Sequence, residues 1–220
     1  MSVMTLVIGE SGTGKSTSLR MFNPDEVLLI QAIKKPLPFK SNGWKRLAAG
    51  VQGNIYTSDQ SPQIINAMQK TTRKIIIVDD FQYTMSNEFM RRVTDKEVGN
   101  AAFAKYNEIA KNAWDIFNAA SKLPDDVRVY ILMHSQTDEF GRTKAKTIGK
   151  LLDEKITIEG LFSIVFKTVL RDGQYYFSTK NSGSDTIKTP IGLLDDDLVE
   201  NDLAAIDSKI VDYYELTTEQ

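Results

Sequence analysis

A chain of 220 residues, 41% hydrophobic and 25% charged, is long enough for one sizeable core spanning 1–220 and cramped for two domains. It holds no cysteine and one histidine, His134, which excludes a disulfide framework, thiolate chemistry and a multi-histidine metal site within one chain. Net charge is only −2 but unevenly spread: residues 191–220 carry nine acids and one lysine, leaving 26 basic against 20 acidic residues elsewhere, a balance that permits an anionic partner for the body.

The chain opens with a short apolar strand, Met4 to Ile8, then a glycine-rich turn and a helix predicted from Lys15 to about Met21. The stretch Gly9-Glu10-Ser11-Gly12-Thr13-Gly14-Lys15-Ser16-Thr17 fits G-x-x-x-x-G-K-[ST], the phosphate-binding loop. Gly9, Gly12 and Gly14 let backbone N–H groups face a phosphate with no Cβ in the way. Lys15 supplies a mobile charge for the β- and γ-phosphates, and the Ser16 hydroxyl is a hard oxygen ligand for Mg²⁺. The following helix would add its positive end. The reading is a nucleoside triphosphate site.

Glu26 to Gln31 reads as a buried strand, followed by a proline-broken loop, Lys34 to Arg46, in which cations alternate with Phe39 and Trp44. Such a loop suits either phosphate contact with base stacking or a solvated turn pinned to the core by its aromatics. A strand from Asn54 to Thr57 precedes a helix with Ser61 as N-cap, Pro62 at its first position and Ile64, Ile65 and Met68 as its buried face. Lys74-Ile75-Ile76-Ile77-Val78-Asp79-Asp80 reads as a central parallel strand ending in two carboxylates, where open α/β sheets bind ligands. Asp79 would hold Mg²⁺ through water. Asp80, with Asp59 as the alternative, would be the base for the attacking water.

No element is assigned to Phe81–Gly99. A long helix then carries Phe103, Tyr106, Ala110, Ala113, Phe117 and Ala120 at spacings of three and four, and stops at Leu123-Pro124. Trp114 reads as core. Val127 to Met133 is another strand, ending at His134, where a polar side chain can sense the γ-phosphate. The loop Gln136 to Lys150 carries Arg142, Lys144, Lys146 and Lys150, candidates for phosphate contacts with DNA. A β-hairpin follows, Ile164 to Arg171 and Gln174 to Thr179 around Asp172-Gly173. The last helix, Asp202 to Tyr214, shows Leu203, Ile206, Ile210 and Tyr213 on one face.

No apolar run approaches the roughly 20 residues that span a bilayer, and the start lacks a basic leader, so a soluble, cytoplasmic protein without a membrane partner is expected. The absence of an N-K-x-D guanine motif favours ATP over GTP.

The segments G-E-S-G-T-G-K-S, K-K-P-L-P-F-K, I-I-I-V-D-D-F-Q-Y, H-S-Q-T-D-E-F-G-R-T-K-A-K-T-I-G-K-L-L-D-E-K and I-K-T-P-I-G resemble the phage-encoded P-loop ATPases of the Sak type, from Val7 to about Tyr214. That resemblance implies an α/β, RecA-like three-layer core with a mainly parallel sheet and a C-terminal β-hairpin plus helix. It further implies a DNA-stimulated ATPase that binds ATP, Mg²⁺ and single-stranded DNA as a homo-oligomeric filament or ring, beside a single-stranded-DNA-binding protein, in phage recombination, annealing or replication. Lys180 and Lys188, beyond the hairpin, match the cations that reach into a neighbour's ATP in RecA-like assemblies. RecA itself takes its base from a glutamate on a separate strand, which has no evident match here. A nucleotide-switched replication-loading factor and a small-molecule kinase are the alternative functions.

Overall fold

The computed structural model describes residues 1–48, 50–95, 100–149 and 151–216, and in it the apolar runs assemble into one twisted sheet. Its strands are β1 (Val3–Gly9), β2 (Val27–Gln31), β3 (Ile55–Thr57), β4 (Ile75–Asp79), β5 (Arg128–Thr137), β6 (Thr143–Ala145), β7 (Ile164–Arg171), β8 (Gln174–Ser178) and β9 (Leu198–Glu200). The order across the sheet is β3-β2-β4-β5-β1-β7-β8-β9, with β6 paired to β5 off that path. The first six strands in this order are parallel, and β8 and β9 are antiparallel.

Because successive side chains point to opposite faces, β1 sends Leu6 and Ile8 into one core and Val7 into the other. The first face is covered by α1 (Ser61–Lys70), α2 (Gln82–Arg91) and α3 (Asn100–Ser121) through Ile64, Met68, Met85, Ile109 and Phe117. The second is covered by α4 (Leu203–Tyr213) through Leu203, Ile206 and Ile210, beside Leu19 and Phe22. The result is the expected three-layer α/β, RecA-like core. Among the described residues no helix is long and apolar enough to cross a membrane.

Local departures have local causes. The helix expected from Lys15 to Met21 is a single 3-10 turn, Ser16–Leu19. Its hydroxyl residues compete with the helical ladder: Ser18 Oγ donates to the Lys15 carbonyl at 2.6 Å, and Asn23-Pro24 starts a new turn at once. The site therefore lacks a long helix dipole and relies on the loop's own N–H groups. Gln60, not Ser61, is the N-cap of α1, and Ser61 Oγ instead donates to the Asn112 carbonyl of α3 at 2.8 Å. The unassigned stretch contains α2; residues 96–99 lie outside the described residues.

Tyr106 is 37% exposed, since Ile109, Ala110, Ala113, Ile116, Phe117 and Ala120 are what α3 buries; the side chain of Phe103 lies outside the described residues. Tyr213 likewise turns outward and donates its hydroxyl to the Ile191 carbonyl at 3.0 Å. The hairpin turn forms as expected, with Asp172 (φ 51°) and Gly173 (φ 77°) both left-handed, the conformation that matches strand twist.

Candidate nucleotide-binding site

Parallel register brings the functional strand ends to one edge. Gly9 of β1 lies opposite His134 of β5, and Asp79 of β4 lies opposite Gln31 of β2. Above this edge is a cleft of about 260 Å³, walled by the phosphate loop, by Lys35, Pro36 and Pro38, by Asp80 and His134, and by Tyr175.

The loop has the conformation that its glycines permit. Gly12 (φ 81°) and Gly14 (φ 99°) are left-handed. Gly9 meets a different constraint: a Cβ there would collide with the Thr168 hydroxyl at 1.9 Å. Thr13 and Thr168 share a hydrogen bond of 2.5 Å, and Thr13 Oγ1 also reaches the Glu10 carbonyl at 2.8 Å, so β7 braces the loop. Lys15 is buried and donates to the carbonyls of Gly9 at 2.8 Å and Glu10 at 2.7 Å. Burial lowers its ammonium from 10.5 to about 8, against the opposing pull of Asp80 and Asp79. Ser11, Gly12, Ser16 and Thr17 line the mouth of the same cleft.

Ser16 Oγ donates to both carboxylate oxygens of Asp79, at 3.0 and 2.9 Å. This hydroxyl and carboxylate are two hard oxygen donors held face to face beside the phosphate loop, a donor set that fits Mg²⁺. Asp79 is fully buried, and burial, reinforced by Asp80, raises its carboxyl to about 6. Asp80 adopts φ 59°, a left-handed conformation that Asp tolerates better than most residues. His134 is half-buried, with Nε2 3.9 Å from Asp80 Oδ1, its ring T-shaped against Tyr83 and its backbone N–H donated to Gln82 Oε1 at 3.1 Å. Burial, with Lys15 nearby, holds its imidazole below 6.5. Strand β5 does not end at His134 but continues to Thr137, where it pairs with β6.

Some expected residues are elsewhere. Asp59, the alternative base, is held by Arg91 at 2.7 Å and Asn87 at 2.8 Å and is not among the residues that wall the cleft, where Asp80 is. The strand beside β4 ends in Gln31, an amide, so no carboxylate is offered from there either. Lys180 is tied to its own chain, donating to the Asp195 carbonyl at 2.6 Å and pairing with Asp197 at 2.8 Å. Lys188 is exposed, while its backbone pairs with Val165 in both directions. Lys150 lies outside the described residues.

The proline-broken loop divides its roles. Phe39 and Trp44 pack on the core, edge to face at 6.2 Å, and Arg46 is bound to Gln31, Thr57 and the Lys35 carbonyl. Lys35 alone of its cations enters the cleft lining, where it pairs with Asp80 and lies 3.9 Å from Asp79. Neither Lys35 nor Tyr175, whose ring lies against Gly14, carries a sequence signal of its own beyond a basic loop and a hairpin strand.

Residues 1–189 match the family model of an AAA domain. Among solved structures, the genome packaging NTPase B204 from Sulfolobus turreted icosahedral virus 2, in complex with ATP-gammaS, is similar over 78% of this chain and 76% of its own, at 8% identity and a TM-score of 0.37. The Legionella pneumophila ATPase DotB is similar over 76% of this chain and 40% of its own, at 13% identity and a TM-score of 0.36. No curated protein matches.

Proposed function

The chain belongs to the AAA domain family, a nucleotide-binding ATPase domain built on the phosphate loop described above, and from that premise we propose that it hydrolyses ATP in a homo-oligomer on single-stranded DNA. The observation that carries the DNA reading is the hairpin formed by β5 and β6. Thr143 and Ala145 of β6 are buried, so strand alternation sets Arg142, Lys144 and Lys146 in a row on the opposite face. The row is joined to the nucleotide site, since the Lys146 N–H donates to the His134 carbonyl at 2.8 Å. At the hairpin tip Phe140 is 78% exposed, an aromatic surface beside cations of the kind that stacks on bases. A phage recombination or annealing role of the Sak type, beside a single-stranded-DNA-binding protein in an infected cell's cytoplasm, is the fuller form of this proposal.

In the mechanism, loop N–H groups and Lys15 hold the β- and γ-phosphates, and Ser16 with Asp79 would hold Mg²⁺, which would supply charge neutralisation when bound. Asp80 accepts the proton of the attacking water. His134, anchored through Gln82, contacts the terminal phosphate and passes its loss to the β5–β6 hairpin. Lys188 is the freer of the two candidate trans cations, because Lys180 must first leave the acidic segment. A trans cation is worth roughly 10³–10⁵ in rate, so an isolated monomer is expected to turn over slowly.

One observation favours a second reading, a nucleotide-switched loading factor with little turnover: the Asp80 carboxylate is paired with the Lys35 ammonium. Hydrolysis measured with and without single-stranded DNA, beside Lys15→Ala, separates the two. Stimulation lost in Lys15→Ala supports the DNA-dependent ATPase. ATP-dependent DNA binding without hydrolysis supports the switch, and phosphoryl transfer to a nucleoside would overturn both in favour of a kinase.

A further inference from the structure

Two carboxylates end β4 side by side, Asp79 fully buried and Asp80 4% exposed. Adjacent buried anions are unfavourable unless a cation compensates them. Lys15 is turned to the carbonyls of Gly9 and Glu10. The ammonium that sits on the acid pair belongs to Lys35, from the loop on the far wall of the cleft.

The backbone of Lys35 is fixed. Arg46 Nη2 donates to its carbonyl at 2.9 Å and to Gln31 Oε1 at 3.0 Å, tying the loop to the end of β2. Pro36 restricts it further from the other side. The side chain, by contrast, is 37% exposed and borders the same space as Lys15 and Gly14. Lys35 is thus a long flexible stem on a rigid base, with its charge parked on the acids. Burial works to discharge it, and Asp79 and Asp80 overrule burial to hold it above 10.5.

We propose that Lys35 is a second phosphate-binding residue of this site, which leaves the acid pair for the terminal phosphate of a bound triphosphate as Mg²⁺ takes its place beside Asp79. The inference rests on reading the cleft as an ATP site. A divalent ion on the Asp79 carboxylate and an ammonium 3.9 Å from the same carboxylate repel each other. The anion that arrives with the metal is the nucleotide; Lys15 sits on the phosphate-loop carbonyls and Lys35 on the acids of the same cleft, so in this proposal the phosphate beyond the one at Lys15 is the partner of Lys35. Lys35 therefore distinguishes triphosphate from diphosphate, whereas Lys15 serves both.

The test is the affinity of the full chain for Mg-ATPγS and Mg-ADP, by calorimetric titration, in the wild type, Lys35→Gln and Lys35→Arg. A charge-assisted hydrogen bond lost to one phosphate predicts ~10–100-fold weaker ATPγS binding in Lys35→Gln, with ADP changed less than ~3-fold and most ATPγS affinity kept in Lys35→Arg. Equal losses for both nucleotides, or no loss, would overturn the assignment of Lys35 alone. A wild type that binds neither nucleotide would overturn the reading of the cleft and this assignment with it. Where Lys35→Gln does not fold, the double variant Lys35→Gln/Asp80→Asn removes one cation with one anion. It is compared with Asp80→Asn, and the same selective loss of ATPγS affinity is expected; its absence overturns the proposal.

Discussion

Raising the pH should release nucleotide from this site before the other lysine in the cleft loses its charge. Burial brings the Lys15 ammonium from 10.5 to about 8, with Lys35 adding repulsion, while Lys35 itself is held above 10.5 by its acids. A phosphate has its second pKa near about 6, so above pH 8 the ligand's charge is constant and only Lys15 changes. Affinity should then fall about tenfold for each pH unit above about 8, which is ~1.4 kcal/mol at pH 9, until the pKa of Lys15 in the complex is reached. The assay is titration with Mg-ADP from pH 7 to 9.5, a diphosphate being chosen so that Lys35 does not contribute. Lys15→Met should bind more weakly at pH 7 and show no slope. The stability of the free protein moves the opposite way. Between about 8 and 10.5 the unfolded chain binds a proton on Lys15 that the folded chain does not, so this group adds stability as pH rises through that window. A wild-type affinity flat to pH 9.5, or a slope surviving in Lys15→Met, would refute the reasoning.

Asp207→Ala should cost about 3–5 kcal/mol in urea denaturation, because Arg128, 5% exposed and bound to Asp207 at 3.0 and 2.9 Å, is left buried without its partner. Its ADP affinity at pH 7 should be unchanged, since Arg128 begins β5 and His134 lies further along that strand, at the cleft. Gly14→Ala should weaken ADP binding at least ~10-fold, because a Cβ would lie 2.8 Å from the Tyr175 ring at φ 99°. Adding Tyr175→Ala relieves the collision but not the backbone, so the double variant should still bind more weakly than Tyr175→Ala; equal affinities would locate the whole effect in the ring. Neutralising Lys144 and Lys146 should flatten the log–log salt dependence of single-strand binding by about 0.7 per lost phosphate contact. An unchanged slope would remove β6 from the interface.

The residues that speak through local pattern were legible, and those that speak through distant partners were not. Gly9 to Thr17 needs only adjacent positions, and Ile75 to Val78 only a continuous β-branched run, so the phosphate loop and the acid strand could be read directly. His134 is the first polar residue after the apolar run Val129 to Met133, which marks it although β5 itself continues to Thr137. The helix after the loop was misplaced because the glycine-lysine-serine pattern gives its start, whereas its length depends on Ser18 capturing the Lys15 carbonyl. Arg128, Tyr130 and Asp207 form a buried hydrogen-bonded cluster that joins α4 to β5, and nothing within either segment announces the other. Lys35 was visible as one cation of a basic loop, but its selection for the cleft depends on Pro36, Arg46 and the acids of β4 together.

The two acids also show how the backbone makes one site from a strand that would otherwise divide it. In a continuing strand Asp79 and Asp80 would point to opposite faces of the sheet, one toward each core. Strand β4 ends at Asp79, whose carboxylate meets Ser16, and the left-handed φ of 59° at Asp80 breaks the alternation. The second carboxylate thereby enters the same cleft, within reach of Lys35 and facing His134. The strain is small for an aspartate and would be larger for a β-branched residue. Two neighbouring carboxylates thus face one cleft because a single peptide unit turns, and the Lys35 ammonium from the proline-broken loop pairs with them there.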